Sequence, residues 1–337
     1  MRRFVFLLWA FLASSVFWTG CQKTDDLNDS GEEITVSLNL AGDFDVDVSQ
    51  DPLTRAEAAN DAYAVEVYYD EGVYAYGLFD NVEDMTITLL SNHKYNFYCT
   101  LVKDAKNTLY YGQAFNNTYS GYAYPFHTSA SNSTQITNRF IIGTGVTFSG
   151  MGSGRSHIIS TTSPSTSNYT QYPNVDRYYG RTYNYEPVPN GTIDIYLKRT
   201  VFGARFVVNG LKEGSLSVEA SNSTYGSFHS RTYFSDTEGS ETIYTFPDVS
   251  GVYSNDLPLV ATISLSYNSS RGDLWDMSQS KDIQFKRNVM TTVNIDLNPD
   301  LSGAKFTITE EPMDEDNVID MGINTDGLID IIVKPEN

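Results

Sequence analysis

An apolar/polar alternation with a period of two constrains this chain more than any other feature. Ile34, Val36, Leu38 and Leu40 alternate with Thr35, Ser37 and Asn39, and Met85, Ile87 and Leu89 alternate with Thr86 and Thr88. The pattern returns over residues 193–197, 215–219, 261–267 and 289–297. Successive side chains on an extended backbone point to opposite faces, so each run reads as a strand with one face on a core and one in water. Gly, Asn and Pro turns separate the runs at short spacing, which predicts antiparallel β-sandwiches. Long helical periodicity is absent, and only residues 56–62 read as briefly helical. The expected fold class is all-β.

The chain has 337 residues, a length that suits two domains. Arg2 and Arg3 lead into an apolar run from Phe4 to Phe17, which meets Thr19-Gly20-Cys21. A basic start, a short apolar middle and a small-residue end make an export signal. The run falls short of the roughly 20 apolar residues that a membrane span needs. Cys21 stands where a bacterial lipoprotein carries its acylated cysteine, so it is the expected lipidation (palmitate) site and outer-membrane anchor. A plain secretory signal with a chance cysteine is the alternative. The expected organisation is a signal peptide over 1–20, a lipidated tether over 21–31 and a first sandwich with long Tyr/Ser/Gly-rich loops over 32–186. A second sandwich follows over 187–300, then C-terminal strands and an acidic tail over 301–337.

Asp and Glu outnumber Lys and Arg by 42 to 22, a net charge of −20. Such a surface repels nucleic acid and anionic membrane, and no Lys/Arg run offsets it. With Cys21 acylated, Cys99 has no partner in the chain, so core burial and not a disulfide must hold an exported protein of this kind together. Cys99 lies in a strand-like stretch and reads as a small buried hydrophobe.

No catalytic constellation is found. The stretch from Gly150 to Arg155 lacks the Gly-Lys-Ser/Thr ending of a phosphate loop, and Arg155 replaces the third glycine of a dinucleotide fingerprint. His93, His127, His157 and His229 are scattered without metal-ligand spacing. The acidic stretch from Glu310 to Asp316 fails the EF-hand pattern because Val318 stands where a ligand is needed. No cofactor, metal or enzymatic activity is expected. Two features could recognise a partner. One is the Tyr-rich middle, with Tyr119, Tyr122, Tyr124, Tyr172, Tyr178 and Tyr179, whose composition suits host or glycan contact. Packing of the sandwich edges is its other reading. The second is Arg271-Gly272-Asp273, where ordinary turn chemistry is the stronger reading.

Several segments together resemble the fimbrillin-like (type V pilus, Mfa-like) lipoproteins of Bacteroidales. They are the signal ending at Cys21 and a first strand, residues 33–40, followed by Leu53-Thr54-Arg55-Ala56. Next come residues 64–70, and then Leu197-Lys198-Arg199 leading into residues 204–208. The last is Phe285-Lys286-Arg287-Asn288 running into residues 291–297. The tract after Cys21, Gln22-Lys23-Thr24-Asp25-Asp26, is similar to the surface-export tag of Bacteroides-type lipoproteins, or is an ordinary polar tether. The resemblance implies two tandem transthyretin-like, Greek-key sandwiches, surface exposure or a place in a fimbrium, and adhesion. It also implies assembly with other pilus subunits by strand exchange. On this chain Arg55 would be the proteolytic cleavage point, residues 33–40 the departing strand, and residues 306–309 or 328–333 the donated strand. An uncut loop arginine is the other reading of Arg55. A surface glycan-binding lipoprotein of a polysaccharide-utilisation system is the functional alternative.

Overall fold

The computed structural model describes residues 31–42, 60–70, 72–111, 121–122, 124–128, 135–148, 151, 175–234, 238–270, 274–299 and 303–313. The first half contains β1 (Glu33–Gly42), β2 (Ala62–Tyr69), β3 (Gly72–Phe79), β4 (Thr86–Leu90) and β5 (Tyr95–Val102). It continues with α1 (Ala105–Thr108), β6 (Tyr110–Tyr111), β7 (Gly121–Tyr122), β8 (Ile141–Ile142), β9 (Arg177–Tyr185) and β10 (Thr192–Arg199). The second half contains β11 (Val201–Asn209), β12 (Ser215–Asn222), β13 (Gly226–Tyr233), β14 (Glu238–Thr245) and α2 (Val249–Asn255). It ends with β15 (Leu259–Asn268), β16 (Leu274–Phe285), β17 (Val289–Leu297) and β18 (Ala304–Pro312). The protein is all-β.

The two halves share one wiring. The opening strand of each, β1 or β11, pairs antiparallel with β4 or β14 and parallel with β10 or β17. Opposite it, β2 or β12 pairs with β3 or β13 and with β5 or β15, which in turn takes β9 or β16. Each half is therefore a sandwich of two sheets. In the first half two residue pairs between β9 and β10 stitch both layers into one eight-stranded sheet. In the second half β18 extends the β11–β17 layer.

The alternation places the core. Ile34, Val36, Leu38, Ile87, Leu89, Ile193, Ile195 and Leu197 meet Val65, Val67, Phe97 and Leu101 inside the first sandwich. Phe202, Phe206, Val208, Leu216, Val218, Ile263, Leu265, Val293 and Ile295 fill the second. A further cluster lies on the outer face of β2, β3 and β5. There Tyr122, Phe126, Phe148 and Met151 roof Ala62, Ala64, Leu78 and Val102. That roof explains why β2 is buried on both faces and shows no alternation from Ala62 to Val67.

Four expectations are corrected. The sheets are mixed, with parallel β1–β10 and β11–β17 pairs, because alternation fixes which face a side chain takes and not the direction of its neighbour. Of the briefly helical stretch read over 56–62, residues 56–59 lie outside the described residues, and Ala62 already opens a strand. Residues 177–185, read within a loop-rich stretch, form β9 beside β5, and tyrosines on both of its faces hide the period. The strand after Pro187–Gly191, placed with the second sandwich, is β10 and pairs with β1 and β9 in the first.

Only Thr200 separates β10 from β11. Its Oγ1 donates to the Arg177 carbonyl at 3.1 Å, its N–H donates to the same carbonyl at 2.7 Å, and its carbonyl accepts from Phe246 N. Beside it Arg199, 1% exposed, donates to both Asp176 oxygens at 2.8 and 3.0 Å and to Asn288 Oδ1 at 2.8 Å. A guanidinium without its carboxylate at such a site is left charged in a poorly solvated place. Asp176→Ala is expected to lower unfolding free energy by about 3–5 kcal/mol in urea titrations, while Arg199→Met with Asp176→Leu recovers most of it.

Candidate functional site

The seat of β1 is the first candidate. Its Ile34, Val36 and Leu38 point into the first core and Leu40 packs at the margin. Its backbone is bonded along both edges, to β4 over Glu33–Ser37 and to β10 over Ser37–Gly42. The side facing water carries small polar contacts, Thr35 Oγ1 to Thr88 Oγ1 at 3.2 Å and Asn39 Nδ2 to Asp194 Oδ1 at 2.8 Å. The strand is thus an inserted central element whose removal would uncover two sheet edges and an apolar floor. Arg55 and Cys21 lie outside the described residues. So do residues 328–333 and Arg271-Gly272-Asp273.

Of the candidate donor strands, residues 306–309 lie in β18, where Phe306 and Ile308 pack on the chain's own second core. Glu310 and Glu311, read as a solvated acidic segment, end that strand. Glu310 pairs with Lys286 at 2.6 Å and Glu311 with Arg205 at 3.0 Å.

The structure divides the candidate recognition tyrosines. Tyr178 lies in the first core, Tyr179 is buried on the opposite face, and Tyr122 is buried as part of the roof. Tyr124, partly exposed, stacks on His127 with ring centres 5.4 Å apart. Tyr119 and Tyr172 lie outside the described residues. The correction has a physical cause, because tyrosine composition does not distinguish a contact surface from the packing of a strand. Cys99 is buried, and burial pushes its thiol above the ordinary range, as an inert core residue requires. His229 is also internal. Burial pulls it down to about 4, with its Nδ1 3.0 Å from Tyr244 Oη and its ring stacked on Phe206. Among the described residues no group of three His, Cys, Asp or Glu side chains is arranged to hold a metal ion. No described helix is long and apolar enough to cross a membrane.

Sequence reading missed one acid. Glu66 sits on β2 beneath the roof, fully buried, accepting a short hydrogen bond from Phe148 N and one at 3.0 Å from Tyr68 Oη. Burial raises its carboxyl from 4.5 to about 7 despite both donors. A raised carboxyl pKa means the folded state holds the proton longer than the unfolded one. Stability from this group is therefore full below about pH 4.5 and declines as pH rises through about 7, by about 3 kcal/mol in total. Urea midpoints at pH 4.5 and 7.5 should differ less for Glu66→Gln than for the native chain.

No protein-family model and no curated protein matches the sequence. Solved structures do resemble it. One is a candidate cell adhesion protein of Bacteroides eggerthii, 10% identical, with 84% of this chain and 96% of that one covered and a TM-score of 0.35. Another is the fimbrial anchor protein Mfa2 of Porphyromonas gingivalis, 10% identical, covering 83% and 98% at a TM-score of 0.35. A third is a C-terminally truncated tip fimbrial protein, Mfa3, of the same organism, 10% identical, covering 83% and 100% at 0.29. The structural neighbours are thus fimbrial and candidate cell-adhesion proteins of Bacteroidales.

Proposed function

We propose that the protein is a non-enzymatic, lipid-anchored surface protein that serves as a fimbrial subunit or pilus-associated adhesin and joins neighbouring subunits through the seat of β1. The carrying observation is that seat. The first described strand, β1, is inserted between β4 and β10, and Arg55 follows it in the sequence before β2 begins. A cut after Arg55 would free the strand from the rest of the chain. Its three buried side chains contribute about 1.5–3 kcal/mol each, a sum comparable to the whole stability of an ordinary domain. An emptied seat would then favour any strand able to supply alternating apolar residues, because main-chain bonds and the floor are both waiting. In this reading Cys21 holds the chain at the outer membrane until assembly, or for good in an anchor subunit.

N-terminal sequencing of protein from intact cells tests the reading directly. Ala56 as first residue, with SDS-resistant, heat-labile ladders, is the expected result for a polymerising subunit. A blocked Cys21 is expected of an anchor. Release of the native chain as a soluble monomer with an intact, unlipidated N-terminus would overturn it. In vitro, the chain trimmed after Arg55 should bind a peptide of residues 33–42, and Leu38→Asp in that peptide should reduce binding at least about tenfold, since it puts a charge on the apolar floor.

A further inference from the structure

We propose that the outward face of β5, β9 and β10, where it meets α2, is a binding site for acidic carbohydrate. The site does not depend on the pilus reading, since an uncut monomer would present the same face.

Its centre is a cation held among rings. The Arg181 guanidinium lies 4.9 Å from the ring centre of Tyr183 and 5.6 Å from that of Tyr253 on α2. Lys198 Nζ lies 5.4 Å from the same Tyr253 ring. Tyr98 abuts Tyr183 edge-on at 5.8 Å, and Tyr183 is 46% exposed. Cation–ring contact and ring–ring packing fix these side chains before a ligand arrives, which lowers the ordering cost of binding.

The site joins two cations on one face of an acidic chain, which carries −20. Of the fifteen described Lys and Arg residues, Lys94, Lys103, Lys106, Arg199, Arg205, Arg231, Lys286 and Arg287 have carboxylate partners. Arg181 and Lys198, like the buried Arg177, are bonded to neutral oxygens. Arg181 donates to Ser250 Oγ at 2.6 Å and Ser254 Oγ at 2.7 Å, and Lys198 donates to the Tyr253 carbonyl at 3.1 Å. Those bonds place both cations without neutralising them, and Arg181 keeps further N–H donors for an anion. The acid nearest along β10, Asp194, accepts from the Asn39 amide and pairs with neither cation.

The same geometry selects the class of ligand. Every ring of the cluster carries a hydroxyl, Arg181 rests on two serines and Lys198 on a backbone carbonyl. A protein partner using the Tyr and Arg side chains as anchors would have to desolvate both cations and the serines fully. A sugar ring offers a C–H face to Tyr183, hydroxyls to the phenols, and a carboxylate or sulfate to Arg181 and Lys198.

Affinity electrophoresis of the exported chain in gels containing polygalacturonate, chondroitin sulfate or dextran tests this. Retardation is expected with one or both acidic polymers, decreasing with added salt, and none with neutral dextran. The polymer that retards tells whether carboxylate or sulfate is the recognised group. Arg181→Gln with Lys198→Gln should weaken binding at least about tenfold, the loss of one charge-assisted contact or more. Because Arg181 also seats α2, Tyr183→Ala serves as the second variant. Its ring is nearly half in solvent, so the melting point should hold while binding falls. Absence of retardation by both acidic polymers, or retardation that survives both variants, would overturn the proposal. So would a self-association that Tyr183→Ala abolishes while polymer binding is unaffected.

Discussion

The backbone that runs through β10, Thr200 and β11 is the constraint on which the rest depends. The last strand of one sandwich becomes the first of the next with a single residue between them. Each sandwich closes by a parallel pairing of its first strand with a late one, β1 with β10 and β11 with β17, and β10 is the closing strand of the first. Its partner β1 lies far back in the chain, as the Asn39–Asp194 contact across 155 positions illustrates. Without β1, β10 would keep only two residue pairs with β9 and its continuation through Thr200. The closure of the first sandwich and the anchoring of the second are therefore mechanically one problem, and Arg199, Asp176 and Asn288 sit at its pivot.

Charge is distributed to suit that construction. The chain is strongly acidic, and most of its described cations stand against carboxylates along strands, turns and the pivot. An exposed pair such as Lys94–Glu186 contributes little, because water screens it. The buried bidentate pair at Arg199 acts differently. Its worth lies in geometry, since breaking it strands a charge, while replacing both partners by apolar groups would cost little. Arg181 and Lys198 are held differently, by neutral oxygens on one exposed face.

The faces of most strands could be read from the sequence, and their partners could not. Alternation correctly assigned Ile34, Val36, Leu38, Ile193, Ile195, Leu216 and Val218 to cores. It failed at β9, where tyrosines fall on both faces. It failed again at β2, where a roof buries what would otherwise be the wet side. The β10–β11 junction was illegible because Pro and Gly at 187–191 make a tight hairpin look like a linker. α2 was passed over although Asp248, whose carboxylate accepts from Gly251 N at 2.8 Å, is an N-cap signal. The candidate site was less legible than the fold. Of the tyrosines that composition singled out, Tyr122, Tyr178 and Tyr179 are buried, and the exposed ring of the proposed face is Tyr183. The cations that accompany it come from two strands, and Tyr253 comes from the second sandwich.

The roof and the open face are two treatments of one sheet surface, and Glu66 marks their boundary. Along β2 the outward side chains run Ala62, Ala64, Glu66 and Tyr68. The first two lie under Phe126 and Phe148 in a dry cluster. Glu66 ties the Phe148 backbone down and takes the Tyr68 hydroxyl from the other side. Tyr68 then begins the ring row that passes through Tyr98 to Tyr183. A carboxyl at that seam is costly to bury, and it is placed where an apolar cover must stop and a polar surface must start. An alanine there would leave the Phe148 N–H without an acceptor, and a larger apolar residue would extend the dry layer over the tyrosines. A buried acid held near neutrality satisfies both sides at once, which gives a physical reason for an otherwise unfavourable residue in the middle of a fully covered strand.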